Sequence, residues 1–188
     1  MLELTKIDLS GLAEALEDHS GMTRWFLDRS SGEVLPYADD LSEEESEEID
    51  ARDLIRLESF SSRDGYQDME DFIALVRDPR ARDPLERAIA GRGAFRRFKD
   101  TLFEFPDLRE AWFRFHDART ERRAIEWLRD EELIDENEAA RALAERAEDP
   151  VPPSTTGAAG APPVDAFEVA GDVARDLAEL YGERLRGV

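Results

Sequence analysis

The apolar residues of this chain change their period near residue 60, and that change restricts the fold more than any other feature. Before it, helical and alternating patterns both occur; after it, every apolar repeat is helical. Met69, Phe72, Ile73 and Val76 share one helical face, and Leu108, Trp112 and Phe115 open a long helix that continues to Ile125 and Leu128. Near the N-terminus Leu9, Leu12, Ala13 and Leu16 form a short stripe, with Asp8 or Ser10 as cap and Gly21 closing the element. Extended structure is expected between these regions. Met22 to Leu27 reads as a strand, Asp28-Arg29-Ser30-Ser31-Gly32 as a turn, and Glu33-Val34-Leu35 as a returning strand before Pro36. In the stretch 54–58 a helical register would bury Asp53 and Arg56. Alternation places Ile55 and Leu57 on one face and Arg56 and Glu58 on the other, which makes a third strand. The expected fold class is α+β and mostly helical: a small three-stranded antiparallel sheet packed against about five helices, plus a tethered C-terminal helix.

Capping chemistry sets the helix boundaries. Asp64 with Gln67 resembles a capping box, and Asp78-Pro79 reads as a stop. Asp83-Pro84-Leu85-Glu86 then reads as a start: a cap, a proline at the first helical position and an acid at the third. Gly91 ends that helix, and the next one is expected to bury Phe95, Phe98, Leu102 and Phe105. Asp135 with Glu138 caps a short Ala-rich helix. Residues 39–50 are acidic with few apolar positions, as in a solvated loop or an exposed helix. These features place a single core at 1–147. Residues 148–164, containing PVPPSTTGAAGAPP, read as a linker. Asp165 and Glu168 cap a final helix over 165–188, with Phe167, Val173, Leu177, Leu180 and Tyr181 on one face. A lone helix of this kind is marginal in water, so it is expected to dock on its own core, a second copy or another protein.

The chain has no cysteine, which excludes disulfides, thiolate zinc and a Cys nucleophile. Its formal charge of −21 opposes duplex nucleic acid and anionic membranes over most of the surface. Residues 1–8 lack the features of a signal peptide and no apolar run is long enough to span a membrane, so the expected location is cytoplasmic.

Few residues point to chemistry. The histidines, His19 and His116, lie in different elements, and no G-x-S-x-G, H-E-x-x-H or Walker pattern occurs. No catalytic residue, metal ligand or cofactor is therefore assigned, and the balance leans away from an enzyme. Asp68, Glu70 and Asp71 in one helical turn have the oxygen chemistry of a hard-cation site for a metal-dependent hydrolase, but also that of an acidic cluster complementing a helix dipole. His116 beside Asp117 reads as a satisfied or surface histidine. The most distinctive segment is a basic island: Arg87, Arg92, Arg96, Arg97 and Lys99 fall within 87–99 with no acid among them, around Gly91-Arg92-Gly93 at a helix start. Helix, short Gly turn and basic helix outline an anion, nucleotide or nucleic-acid site. Equally, the glycines fit a tight helix corner and the arginines fit ion pairs with acidic neighbours. The leading expectation is a non-enzymatic interaction or regulatory protein that binds another protein or itself; nucleic-acid or nucleotide binding through 87–99 is the alternative.

Tyr66-Gln67-Asp68-Met69-Glu70-Asp71-Phe72-Ile73, then Gly91-Arg92-Gly93-Ala94-Phe95-Arg96-Arg97-Phe98-Lys99-Asp100, then Trp112 and Phe115 together resemble the uncharacterised protein family numbered 0158 in the UPF series. The similarity runs from about Trp25 to Leu128. It implies a bacterial-type cytoplasmic protein and carries no catalytic residues.

Overall fold

The computed structural model describes residues 1–153. Among them seven helices accompany one antiparallel sheet: α1 (Leu9–Glu17), β1 (Thr23–Asp28), β2 (Val34–Ala38), α2 (Glu43–Ala51), β3 (Leu54–Arg56), α3 (Ser62–Leu75), α4 (Pro79–Ile89), α5 (Ala94–Leu102), α6 (Pro106–Asp130) and α7 (Glu136–Glu145). The α+β, mostly helical class expected from the sequence is the one observed. The final helix and most of the linker lie outside the described residues.

The sheet has the order β2-β1-β3. The 28–32 turn forms because the Asp28 carboxylate accepts from Ser30 N at 2.8 Å and Ser31 N at 3.2 Å, while Gly32 takes φ +79°. Strand β2 runs through Pro36 instead of stopping before it. Trp25, the residue opposite Pro36, turns its carbonyl to Leu57 N on the β3 side. The proline therefore occupies a non-hydrogen-bonded pair on an edge strand, where its missing N–H removes no ladder bond. Just past the end of β3, which is shorter than the expected strand, Leu57 is buried while Arg56 and Glu58 on either side of it are exposed, as alternation requires.

Two helix starts differ from the capping expectation. Helix α3 begins on Ser61, whose hydroxyl accepts from Arg63 N, so Asp64 falls in the first turn instead of at the cap. Helix α4 begins on Asp78-Pro79, with the Asp78 carboxylate accepting from Arg80 N at 2.9 Å. That dipeptide starts a helix where a stop was expected, and Pro84 lies inside the helix. Pro84 deprives the Arg80 carbonyl of its helical donor. Ala81 and Leu85, both fully buried, hold the helix against the core regardless. The acidic stretch does form a helix, α2, capped by a Ser42–Glu45 box and burying none of its side chains.

The described core is in two parts. One gathers α1, Leu27, Leu57, Ala124, Ile125 and Leu128 of α6, and Ala139 and Ala142 of α7. The other gathers α3, α4, α5 and the first half of α6, and centres on rings. Phe72 meets Trp112 at 5.3 Å and Phe115 at 5.4 Å, and Phe98 meets Trp112 at 4.8 Å. Helix α6, 25 residues and about 37 Å long, runs through both. The N-terminal segment is tied to the first part by Leu2 N to Leu133 O at 2.7 Å and by Leu4 N to a Glu138 carboxylate oxygen at 3.0 Å. Asp135 caps α7 as expected, but Glu138 serves this distant contact.

Candidate functional site

The corner between α4 and α5 explains the glycine-arginine motif. Gly91 and Gly93 take φ +78° and +73°, left-handed conformations that β-carbons disfavour. The last carbonyls of α4 are then satisfied by side chains: Arg97 Nε donates to Ala88 O at 3.0 Å, Arg97 Nη2 to Ala90 O at 2.6 Å, and Tyr66 Oη to Ile89 O at 3.1 Å. Arg97 also reaches Arg92 O. One cation of the basic island is thus a helix clamp.

The remaining cations face outward. Arg87, Arg92, Arg96 and Lys99 are all exposed. Arg96 pairs at 3.7 Å with Asp100 on its own helix, whereas Arg87, Arg92 and Lys99 have no ion-pair partner among the described residues. Phe98 and Leu102 are buried and Phe105 partly so, but Phe95 is 43% exposed, against the expectation that it is core. Its ring lies over Gly65 of α3, where a β-carbon would come within 3.1 Å of Phe95 Cε1. A contact absent from the sequence reading completes the surface. Phe103 is exposed and lies under the Arg109 guanidinium at 5.0 Å, and Phe113, one turn beyond Arg109, is exposed as well. Positions 96, 99 and 103 follow helical spacing, so Arg96, Lys99 and Phe103 form one basic-aromatic stripe on α5 and its C-cap, with exposed Arg92 in the corner before the helix. Period alone could have shown the stripe, but it could not separate exposed Phe103 from buried Phe98.

Where α6 passes between the two parts of the core lies a charge network. Asp68 of α3 has no solvent exposure. Its oxygens accept from Arg123 at 2.5 and 2.7 Å and from Arg119 Nη1 at 2.9 Å. Arg119 continues to Asp71 at 2.5 Å and, through Nε and Nη2, to Asp149 at 3.1 and 3.0 Å. Arg122 also contacts Asp149 and donates to Arg146 O at 2.8 Å, seating the chain after α7 along α6. His116 stacks on Trp112 at 5.0 Å, with Nε2 3.2 Å from Glu17 of α1 and Nδ1 3.7 Å from Asp68. Burial opposes the charge of the imidazolium, but the carboxylates of Asp68 and Glu17 outweigh it and raise the His116 pKa to about 9. Burial opposes the Asp68 charge too, and contacts with His116, Arg123 and Arg119 overcome it, holding that carboxyl well below the usual range.

These contacts place the acidic turn in an ion-pair network beyond the first turn of α3, not at the helix start where it would complement the dipole. Asp68 and Asp71 are spent on guanidinium groups, Glu70 is exposed, and no group of three metal-ligating side chains occurs among the described residues. His116 takes its partners from α1 and α3, not from neighbouring Asp117. Both nitrogens of His19 face backbone carbonyls, of Glu17 at 2.7 Å and Phe60 at 2.9 Å. Among the described residues no helix is long and apolar enough to cross a membrane.

Comparison with known proteins agrees with the family resemblance of the sequence. A UPF0158 protein of Pseudomonas aeruginosa is 33% identical over 135 residues, covering 68% of this chain and 84% of that protein. No solved structure matches. The model of the uncharacterised protein family UPF0158 matches residues 4–147, a longer stretch than the motifs alone delimit, and the chain belongs to that family.

Proposed function

We propose that this is a non-enzymatic interaction protein that holds an acidic segment of another protein on the exposed face of α5. The observation that carries the proposal is the solvent-facing stripe Arg96, Lys99 and Phe103, with exposed Arg92 in the corner before it, in a chain of net charge −21. Its cations steer an acidic segment and set its register, while Phe103 and Phe113 offer apolar contact. Helix α5 has 9 residues and is about 14 Å long. A short acidic segment fits that length, whereas a nucleic-acid duplex would run past the patch onto a surface dominated by carboxylates. In this reading the helix expected from the sequence over 165–188 supplies a second contact. Replacing Val173, Leu177 and Leu180 with Ala is then expected to weaken self-association or partner capture in sedimentation.

The second reading uses the same stripe for single-stranded nucleic acid, because exposed rings beside cations form a stacking platform. Fluorescence anisotropy distinguishes the two, with a labelled Asp/Glu-rich peptide and a labelled RNA strand titrated at low and moderate salt. The proposal expects peptide binding that weakens with salt and falls about tenfold or more in Arg92→Gln/Arg96→Gln/Lys99→Gln. Tighter binding of RNA than of peptide transfers the surface to the second reading. No binding of either at low salt removes both.

A further inference from the structure

The two edges of the sheet differ in what they allow beside them. Strand β2 forms one edge and β3 the other. An edge strand carries backbone groups that point away from the sheet and can pair with another strand. On β2 the Pro36 nitrogen faces outward, because its pair with Trp25 is not hydrogen-bonded, so that edge lacks a donor at its middle. No proline interrupts β3. Arg29 N donates to Asp53 O at 2.9 Å and Leu57 N to Trp25 O at 2.8 Å, so Asp53, Ile55 and Leu57 turn their backbone groups toward β1. The alternate residues, Leu54, Arg56 and Glu58, turn theirs outward, where they meet no hydrogen-bond partner among the described residues. Beyond Glu58 the chain turns back to its own core, with Phe60 N bonded to Leu16 O at 2.6 Å. The open edge therefore spans 54–58.

The side chains along this edge carry opposite charges. Arg56 and Glu58 are two positions apart, so they stand on one face, and both are exposed. Neither has an ion-pair partner among the described residues. Arg24, which the register places across from Glu58, pairs instead with Asp39 at 2.8 Å. Charges of one sign along an edge discourage pairing, whereas opposite charges select a register. When a second copy lies antiparallel beside β3 with the two-fold axis at Arg56, that residue faces its own equivalent and is repelled. With the axis at Leu57, Arg56 of each copy stands directly opposite Glu58 of the other. Both of those pairs consist of outward-facing residues, so each exchanges backbone hydrogen bonds in addition to its ion pair. The edge is complementary to itself, and a second copy is the occupant it fits.

We infer that the chain forms a two-fold dimer in which β3 pairs antiparallel with β3 of a second copy, with Arg56 against Glu58 across the seam in both directions. The two sheets then join into one. The inference is independent of the α5 stripe. Its test is sedimentation of the full chain over a range of concentrations, together with amide hydrogen exchange. The expected result is a reversible monomer–dimer equilibrium, with exchange at the Arg56 and Glu58 amides slowing as the dimer fills. Arg56→Glu and Glu58→Arg should each weaken dimerisation about tenfold or more, because each sets like charges opposite one another. The double swap Arg56→Glu/Glu58→Arg should restore the dimer, and so should an equimolar mixture of the two single variants. Circular dichroism checks that each variant stays folded. A chain that is monomeric at every concentration overturns the inference, as does a dimer that both single variants leave intact. Failure of the double swap and of the mixture to recover the dimer overturns it too. A dimer lost in Val173→Ala/Leu177→Ala/Leu180→Ala but kept in the charge variants belongs to the segment 165–188, and also overturns it.

Discussion

Asp68 is sealed from water, so its charge depends on Arg119, Arg123 and His116. Removing one member of a buried ion cluster leaves the others charged and unpaired, a loss of about 3–5 kcal/mol in comparable cases. Asp68→Asn keeps the shape and removes the charge, and urea unfolding should show destabilisation of about 3 kcal/mol or more. Glu70→Gln, one turn position away on the exposed side, should change stability by less than about 0.5 kcal/mol. The sequence could not single out Asp68 from its acidic neighbours. Its partners lie 51 and 55 positions away on α6, beyond the reach of any local pattern. The i, i+4 spacing of Arg119 and Arg123 was present, but on a chain with this many arginines it reads as an ordinary solvated face.

At the scale of elements the α4–α5 corner separates two arginines that sequence reading treated alike. Arg97 clamps the end of α4, while Arg96 extends into solvent with only a neighbouring acid. Arg97→Ala should therefore cost about 1–2 kcal/mol in thermal or urea unfolding, and Arg96→Ala less than about 0.5 kcal/mol. Equal losses would mean that the clamp carries no stability. Most elements were legible because their apolar period is unbroken: α1, α3, α6 and the alternation of the third strand all follow it. Boundaries were legible only where one capping signal was present. Around α4 two Asp-Pro pairs stand five positions apart, and the burial of Ala81 and Leu85 selects the earlier start. The island at 87–99 was legible as charge, but the division into one clamp and a solvent-facing stripe needed the left-handed glycines to set the angle between the helices.

Across the whole described molecule, α6 carries both parts of the core and places His116, Arg119 and Arg123 between them, so the network is the polar joint of the fold. Its pH response follows from the signs of the two shifts. His116 is raised from 6.5 to about 9, so its stabilising charge is fully present below pH 6.5 and is lost as pH rises through about 9. The Asp68 carboxyl is lowered from 3.8, so its contribution is present above that value and is lost only as pH falls through the depressed folded pKa. Stability from this joint is therefore greatest between about pH 4 and 6.5, with an alkaline decline of about 1–3 kcal/mol by pH 9 to 10. Denaturant unfolding across that range measures it. In His116→Gln the alkaline decline should flatten while the acid limb remains. In Asp68→Asn both limbs should flatten, because the carboxylate that raises the imidazolium is gone. Glu17→Gln should shift the alkaline limb toward neutral pH without touching the acid one, since Glu17 meets His116 alone in this network. If the alkaline limb is the same in His116→Gln as in the parent, the joint is not held by that imidazolium, and Asp68 is held by its two arginines alone.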